Sequence, residues 1–129
     1  MAANTRDGMY ERANFLACRT RDQARPIESF RALTGDMVEA ARRELGILSY
    51  QRFVSGDGKT VHVYERYADS AAALTHLGIF TKKFAELFHD MVERKCFVVF
   101  DYPTTELQAA LDAFGAIYFE PLGDFAYRA

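Results

Sequence analysis

Glu65 and His76 are the residues whose type and setting best suit the movement of a proton. Glu65 lies in the run Val61-His62-Val63-Tyr64-Glu65-Arg66-Tyr67, which reads as a strand. Successive strand side chains change sides, so Val61, Val63, Glu65 and Tyr67 share one face and His62, Tyr64 and Arg66 the other. The more apolar set should turn toward covering helices. A carboxylate beneath helices loses solvation, which raises its proton affinity and fits it to act as a general base. An ion pair with Arg52 or Arg19 meets the same burial in a purely structural way. His76 stands one step off the helical stripe Ala73, Leu77, Phe80, where Gly78 should interrupt the helix. Its imidazole would then point at a cleft between helix and sheet, and histidine, which ordinarily titrates near neutrality, could take a phenolic proton there. Capping the carbonyls at Leu77 or Gly78 is the second role that position offers.

Tyr50 and Arg52 share a strand face with Leu48 in the run Ile47 to Val54. They could offer a hydroxyl and a cation to an enolate or phenolate, with Tyr67 beside them, or they could line the seam of a dimer. Phe80 and Phe84 could wall a substrate, although the spacing of Phe80, Phe84 and Phe88 equally describes a helix core. Other chemistries lack the spacing they need. The histidines at 62, 76 and 89 show no ligand pattern, and Cys18 and Cys96 sit in apolar runs rather than in a Cys-x-x-Cys pair, so no metal site is expected. His62 with Tyr64 suits an edge or interface, and His89 the solvated flank of a helix. Ser55-Gly56-Asp57-Gly58 precedes a strand and is too short to cradle phosphate, and no Gly-x-Ser-x-Gly elbow occurs, so no nucleotide or flavin cofactor is expected.

The elements that would position these residues follow from periodicity. Residues 1–12 read as a polar arm with an Asp7-Gly8 turn. Asn14–Arg21 reads as a strand, and Pro26 opens an amphipathic helix over 26–44 with Phe30, Leu33, Met37, Val38, Ala41 and Leu45 on one face. Ile47–Val54 and Thr60–Tyr67 form a hairpin around the glycine-rich turn. Asp69 or Ser70 can cap a second helix, which Gly78 should split, and Cys96–Tyr102 is a fourth strand. Thr105-x-x-Gln108 reads as a capping box for a third helix, and 116–120 as a last short strand. Strand, helix, strand, strand, helix, strand is the split β-α-β order of a ferredoxin-like α+β fold: an antiparallel sheet with helices on one face, here with a C-terminal helix-strand extension over 103–129. The uncovered sheet face would be an apolar liability in water, and a second copy of the chain is the expected cover, making a homodimer.

The chain has 129 residues, half of them apolar, which suits one domain over 1–129. Its 16 basic and 18 acidic residues are interspersed and leave a net charge of -2, which offers no field of one sign for nucleic acid or an anionic membrane. No apolar run approaches the roughly 20 residues of a membrane span, and a cytoplasmic location is expected. Eleven Phe and 7 Tyr with no Trp favour an aromatic interior or pocket.

Glu44-Leu45-Gly46-Ile47-Leu48-Ser49-Tyr50 and Val61 through Leu77, with its Tyr64-Glu65-Arg66-Tyr67, Asp69 and His76-Leu77, resemble the antibiotic-biosynthesis-monooxygenase domain family over residues 14–102. The resemblance implies a dimeric α/β barrel. It also implies activities that include cofactor-free oxidation of aromatic polyketides, quinol oxidation and haem degradation. The haem-degrading pattern wants a Trp, an Asn and an axial His where this chain has Tyr67, Ala17 or Cys18, and Phe84, so haem chemistry is not expected. The reading that emerges is a homodimeric, cofactor-independent monooxygenase for a small aromatic or quinol-type molecule. In it His76 or Glu65 ionises the substrate, and Tyr67, Tyr50 or Arg52 stabilises the anion. The second reading is a non-catalytic ligand-binding or stress-associated dimer of the same fold.

Overall fold

A computed structural model describes residues 13–125; the expected arm at 1–12 and the last four residues of the extension lie outside the described residues. The elements are β1 (Ala13–Arg21), α1 (Ile27–Arg42), β2 (Ile47–Val54), β3 (Thr60–Tyr67), α2 (Ser70–Lys83), α3 (Ala85–Met91), β4 (Val92–Asp101), α4 (Thr105–Asp112) and β5 (Ile117–Phe119). The sheet order is β2-β3-β1-β4-β5. β1 through β4 pair antiparallel, while β5 pairs parallel to β4. The sheet is therefore mixed rather than wholly antiparallel, because α4 supplies the crossover that a parallel neighbour requires.

Alternation places the core on β3 as expected, and on β1 by the same period. Ala13, Phe15, Ala17 and Arg19 are buried on β1, and Val61, Val63, Glu65 and Tyr67 on β3. The helices lie over this face, with Phe30, Leu33, Met37 and Ala41 of α1 packed into it. α1 stops at Arg42, and Leu45 is exposed rather than part of the apolar stripe. The opposite face carries Leu16, Phe53, Val98 and Phe100, and β5 adds Ile117 and Phe119 beside Val98 and Phe100. Cys18 and Cys96 are cross-strand neighbours on that face and form no disulfide. Their mutual hydrogen bond and partial burial raise the Cys18 thiol pKa.

Three local expectations are corrected. Gly78 does not split the second helix: α2 runs unbroken through it, and the interruption falls at Phe84, whose amide still donates to the Phe80 carbonyl at 2.9 Å. A helical glycine costs only about 1 kcal/mol relative to alanine, too little to end a packed helix. The cap of α4 is Thr104, one residue before the expected box, its hydroxyl accepting from the Leu107 amide at 3.2 Å. On β2, Ile47 stands opposite Tyr67 while Ser49 stands opposite Arg66, so Leu48 is an extra residue. This bulge changes the face of everything after it. Tyr50 and Arg52 consequently share the helix-facing side with Glu65 and Val63, and Leu48, expected on their face, is half-exposed.

Gly46 is fixed by proximity. A Cβ built there would lie 2.3 Å from the Cβ of Ala72 in the first turn of α2, so the chain entering β2 touches the helix with no room for a side chain. Gly46→Ala is expected to destabilise the fold by about 1–3 kcal/mol, the usual cost of overpacking. Urea denaturation of the two proteins measures it, and an unchanged midpoint would contradict the close approach.

Candidate functional site

The site grows from β3. Glu65 points under the helices and is 7% exposed, and each of its oxygens is engaged. Arg52 on the neighbouring strand donates from Nη2 to Oε2 at 2.7 Å, and the Tyr67 hydroxyl donates to Oε1 at 2.5 Å. Burial alone would push the Glu65 carboxyl up. The charge of Arg52 and, when the ring is protonated, that of His76, with the hydrogen bonds from Tyr67 and Arg52, hold it below the ordinary range instead. Of the two roles open to Glu65, the Arg52 ion pair is formed, and the raised proton affinity expected from burial is reversed. Tyr67 is fully buried, and its hydroxyl is held well above its usual pKa by burial and by the Glu65 charge. It is thus a neutral donor committed to Glu65.

His76 lies in the buried stripe of α2 with Ser70 and Ala73, not beside it, and is 6% exposed. Its Nδ1 is 2.9 Å from Oε2 of Glu44, and its Nε2 is 4.0 Å from Oε1 of Glu65. The ring bonds to a carboxylate, not to the carbonyls of Leu77 or Gly78. A carboxylate at Nδ1 favours a proton on Nδ1, so in the neutral ring Nε2 is the acceptor. At 4.0 Å from Glu65, Nε2 is beyond hydrogen-bonding range and open to a ligand's proton. Tyr50 meets the imidazole edge-on at 5.2 Å and stacks under the Arg52 guanidinium at 3.6 Å. Burial raises the Tyr50 hydroxyl's pKa, and that hydroxyl has no hydrogen-bond partner among the described residues. Tyr50 and Arg52 therefore both sit at this cluster, on the helix side of the sheet.

Glu44 is the residue that sequence reasoning missed. It follows the last turn of α1 and is carried to His76 by the contact of Gly46 with Ala72, one helical turn before His76. The glycine before β2 was the available signal.

His76, Glu65 and Arg52 border a small cavity of about 40 Å³ that is partly open to solvent. Phe15, Phe80, Phe88, Phe97 and Phe114 supply most of its wall. Phe97 and Phe114 stack with centroids 5.8 Å apart, so the C-terminal extension contributes one side of the chamber. Arg19 also faces it. Of the residues expected to contact substrate, Arg52 and Phe80 border the cavity, whereas Tyr50 and Tyr67 stand behind its polar residues and Phe84 lies at the helix interruption. The arrangement joins an oriented proton acceptor, a buried carboxylate paired to a cation, and flat apolar walls. That combination suits acid–base chemistry on a ring-shaped molecule.

No protein-family model matches the chain, and no curated protein matches its sequence. Solved structures do. MupZ from Pseudomonas fluorescens superposes with a TM-score of 0.80 at 21% identity, covering 91% of this chain and 95% of its own. A putative antibiotic biosynthesis monooxygenase from Bacteriodes thetaiotaomicron gives 0.59 at 26% identity, covering 74% of this chain and 90% of its own. A mutant of SnoaB, a cofactor-independent oxygenase from Streptomyces nogalater, gives 0.60 at 13% identity, covering 74% of this chain and 96% of its own. With its split β-α-β core and helix-covered sheet, the chain has the ferredoxin-like fold of the antibiotic-biosynthesis-monooxygenase-like proteins.

Proposed function

We propose that the chain is a cofactor-independent monooxygenase that takes a small aromatic or quinol-type molecule into the phenylalanine-walled cavity and removes a proton from it with His76. The observation that carries this reading is the imidazole bordering the cavity, held at Nδ1 by Glu44 and with Nε2 4.0 Å from Glu65. Proton transfer to Nε2 leaves a carbanion or phenolate stabilised by delocalisation into the ring, and the buried Arg52 offsets its charge. The electron-rich anion then reduces dioxygen. One oxygen atom bonds to the substrate carbon and the other leaves as water, so that a ring CH2 becomes C=O with the electrons drawn from the substrate. Glu65 balances the imidazolium formed in the first step.

Oxygen consumption with anthrone or simple hydroquinones, followed on an oxygen electrode, tests the reading. The expected result is saturable uptake with one oxygen atom retained in the anthrone product. Uptake no faster than buffer across such a panel would remove it.

The same proposal takes the protein as a homodimer whose sheets meet face to face. Phe53, Ile117 and Phe119 are each more than half exposed in the single chain, and Phe119 packs on Phe100 across β4 and β5 at 6.1 Å. An apolar band of this kind calls for a cover. Sedimentation at micromolar concentration is expected to give a dimer, and Phe119→Glu to shift it toward monomer without loss of helical signal. A wild-type monomer would rule the dimer out.

A further inference from the structure

Arg19 is a buried cation with no ion-pair partner among the described residues. It sits on the helix-facing side of β1, is 5% exposed, and borders the cavity. Its Nε and Nη1 have no hydrogen-bond acceptor among the described residues, and its guanidinium lies 4.8 Å from the centre of the Phe88 ring. Directly across the β1–β4 pair stands Arg94, whose buried Nε also lacks an acceptor and whose guanidinium lies 5.0 Å from the centre of the Phe114 ring. Like charges opposite one another on adjacent strands repel. The carboxylate bordering the cavity, Glu65, is already engaged by Arg52 and Tyr67. Burial, and next the charge of Arg94, draw the Arg19 pKa down to about 10, with Glu65 opposing.

Uncompensated guanidinium groups at or beside a largely phenylalanine-walled cavity are costly unless an anion completes them. Their planar fork matches a carboxylate, and the adjacent aromatic faces match a ring. We propose that the cavity's ligand is an aromatic carboxylate, its carboxylate received by Arg19 with Arg94 beside it and its ring held between the phenylalanines within reach of His76. This deepens the functional reading above, resting on it only for the choice of cavity. It also gives the site a polarity: one end fixes the charge, and the other moves the proton.

The test compares binding of naphthoate with that of its uncharged isostere naphthamide, by calorimetry at neutral pH. Wild type is expected to prefer naphthoate by about tenfold or more, as for a charge-assisted hydrogen bond. Arg19→Met is expected to abolish the preference while leaving naphthamide affinity in place, and Arg94→Met to reduce it. Equal affinities in wild type, binding of neither compound at millimolar concentration, or a preference that survives Arg19→Met would each overturn the proposal. The wild-type comparison decides even where a variant fails to fold. His76→Ala is expected to keep the naphthoate preference. A protein that consumes no oxygen yet prefers naphthoate would therefore lose the monooxygenase reading and retain the carboxylate site. One that oxidises anthrone without that preference would do the reverse.

Discussion

His76→Ala is expected to lower oxygen consumption by about 10²–10⁴-fold, the usual worth of a positioned general base. The imidazole is the group that combines cavity access with an unengaged acceptor, since the Glu65 oxygens are both taken. Removing a ring packed against Tyr50, Tyr67 and Phe80 also loosens the core, so His76→Gln is the necessary companion. Its amide can still donate to Glu44 and fill most of the space, but it cannot accept a proton at neutral pH. Both variants should lose turnover, and only the alanine should lose appreciable stability. Glu44→Gln should give a smaller loss, because the ring remains and its preferred tautomer is weakened. Turnover unchanged in His76→Gln would show that the histidine is structural.

Glu65→Leu is expected to destabilise the protein by about 3–5 kcal/mol, because it leaves the Arg52 guanidinium buried without its counter-charge. The side chains of Arg52 and Glu65 are only 6% and 10% exposed, and the contact is 2.7 Å. The double variant Glu65→Leu with Arg52→Leu should recover much of the loss, since a buried pair replaced whole by apolar groups is often neutral. Failure of the second substitution to rescue would mean that the loss arises from Tyr67 or His76. The effect also depends on pH. Glu65 holds its proton more weakly when folded than unfolded, so its stabilisation is complete above the ordinary glutamate value of about 4.3 and fades as pH falls through the lower folded value. The stability gap between wild type and the single variant, read from urea midpoints, should narrow in that acid range and stay constant above it.

How much of this could be read in the sequence depended on how local each determinant was. The two-residue period of β3 placed Glu65 and Tyr67 under the helices, because strand alternation needs no knowledge of neighbours. The same rule misplaced Leu48 relative to Tyr50 and Arg52, because the bulge exists only in the pairing of β2 with β3. Gly78 was read as a break because glycine is a poor helix former, a weak preference that packing overrides. Glu44 was invisible as a partner of His76 because 32 residues separate them and their meeting depends on the contact at Gly46. Arg19 was considered only as a mate for Glu65, and its lack of an acceptor emerges once Arg52 is seen to hold that carboxylate.

Phe114 belongs to the tail that follows β4, while His76 and Glu65 hang on α2 and β3. On the proposed reading, one wall of the guest's chamber is thus carried by a stretch of chain separate from α2 and β3. Enlarging or shrinking the residue at 114 is then expected to change which guests bind while leaving the imidazole and its two flanking carboxylates where they are.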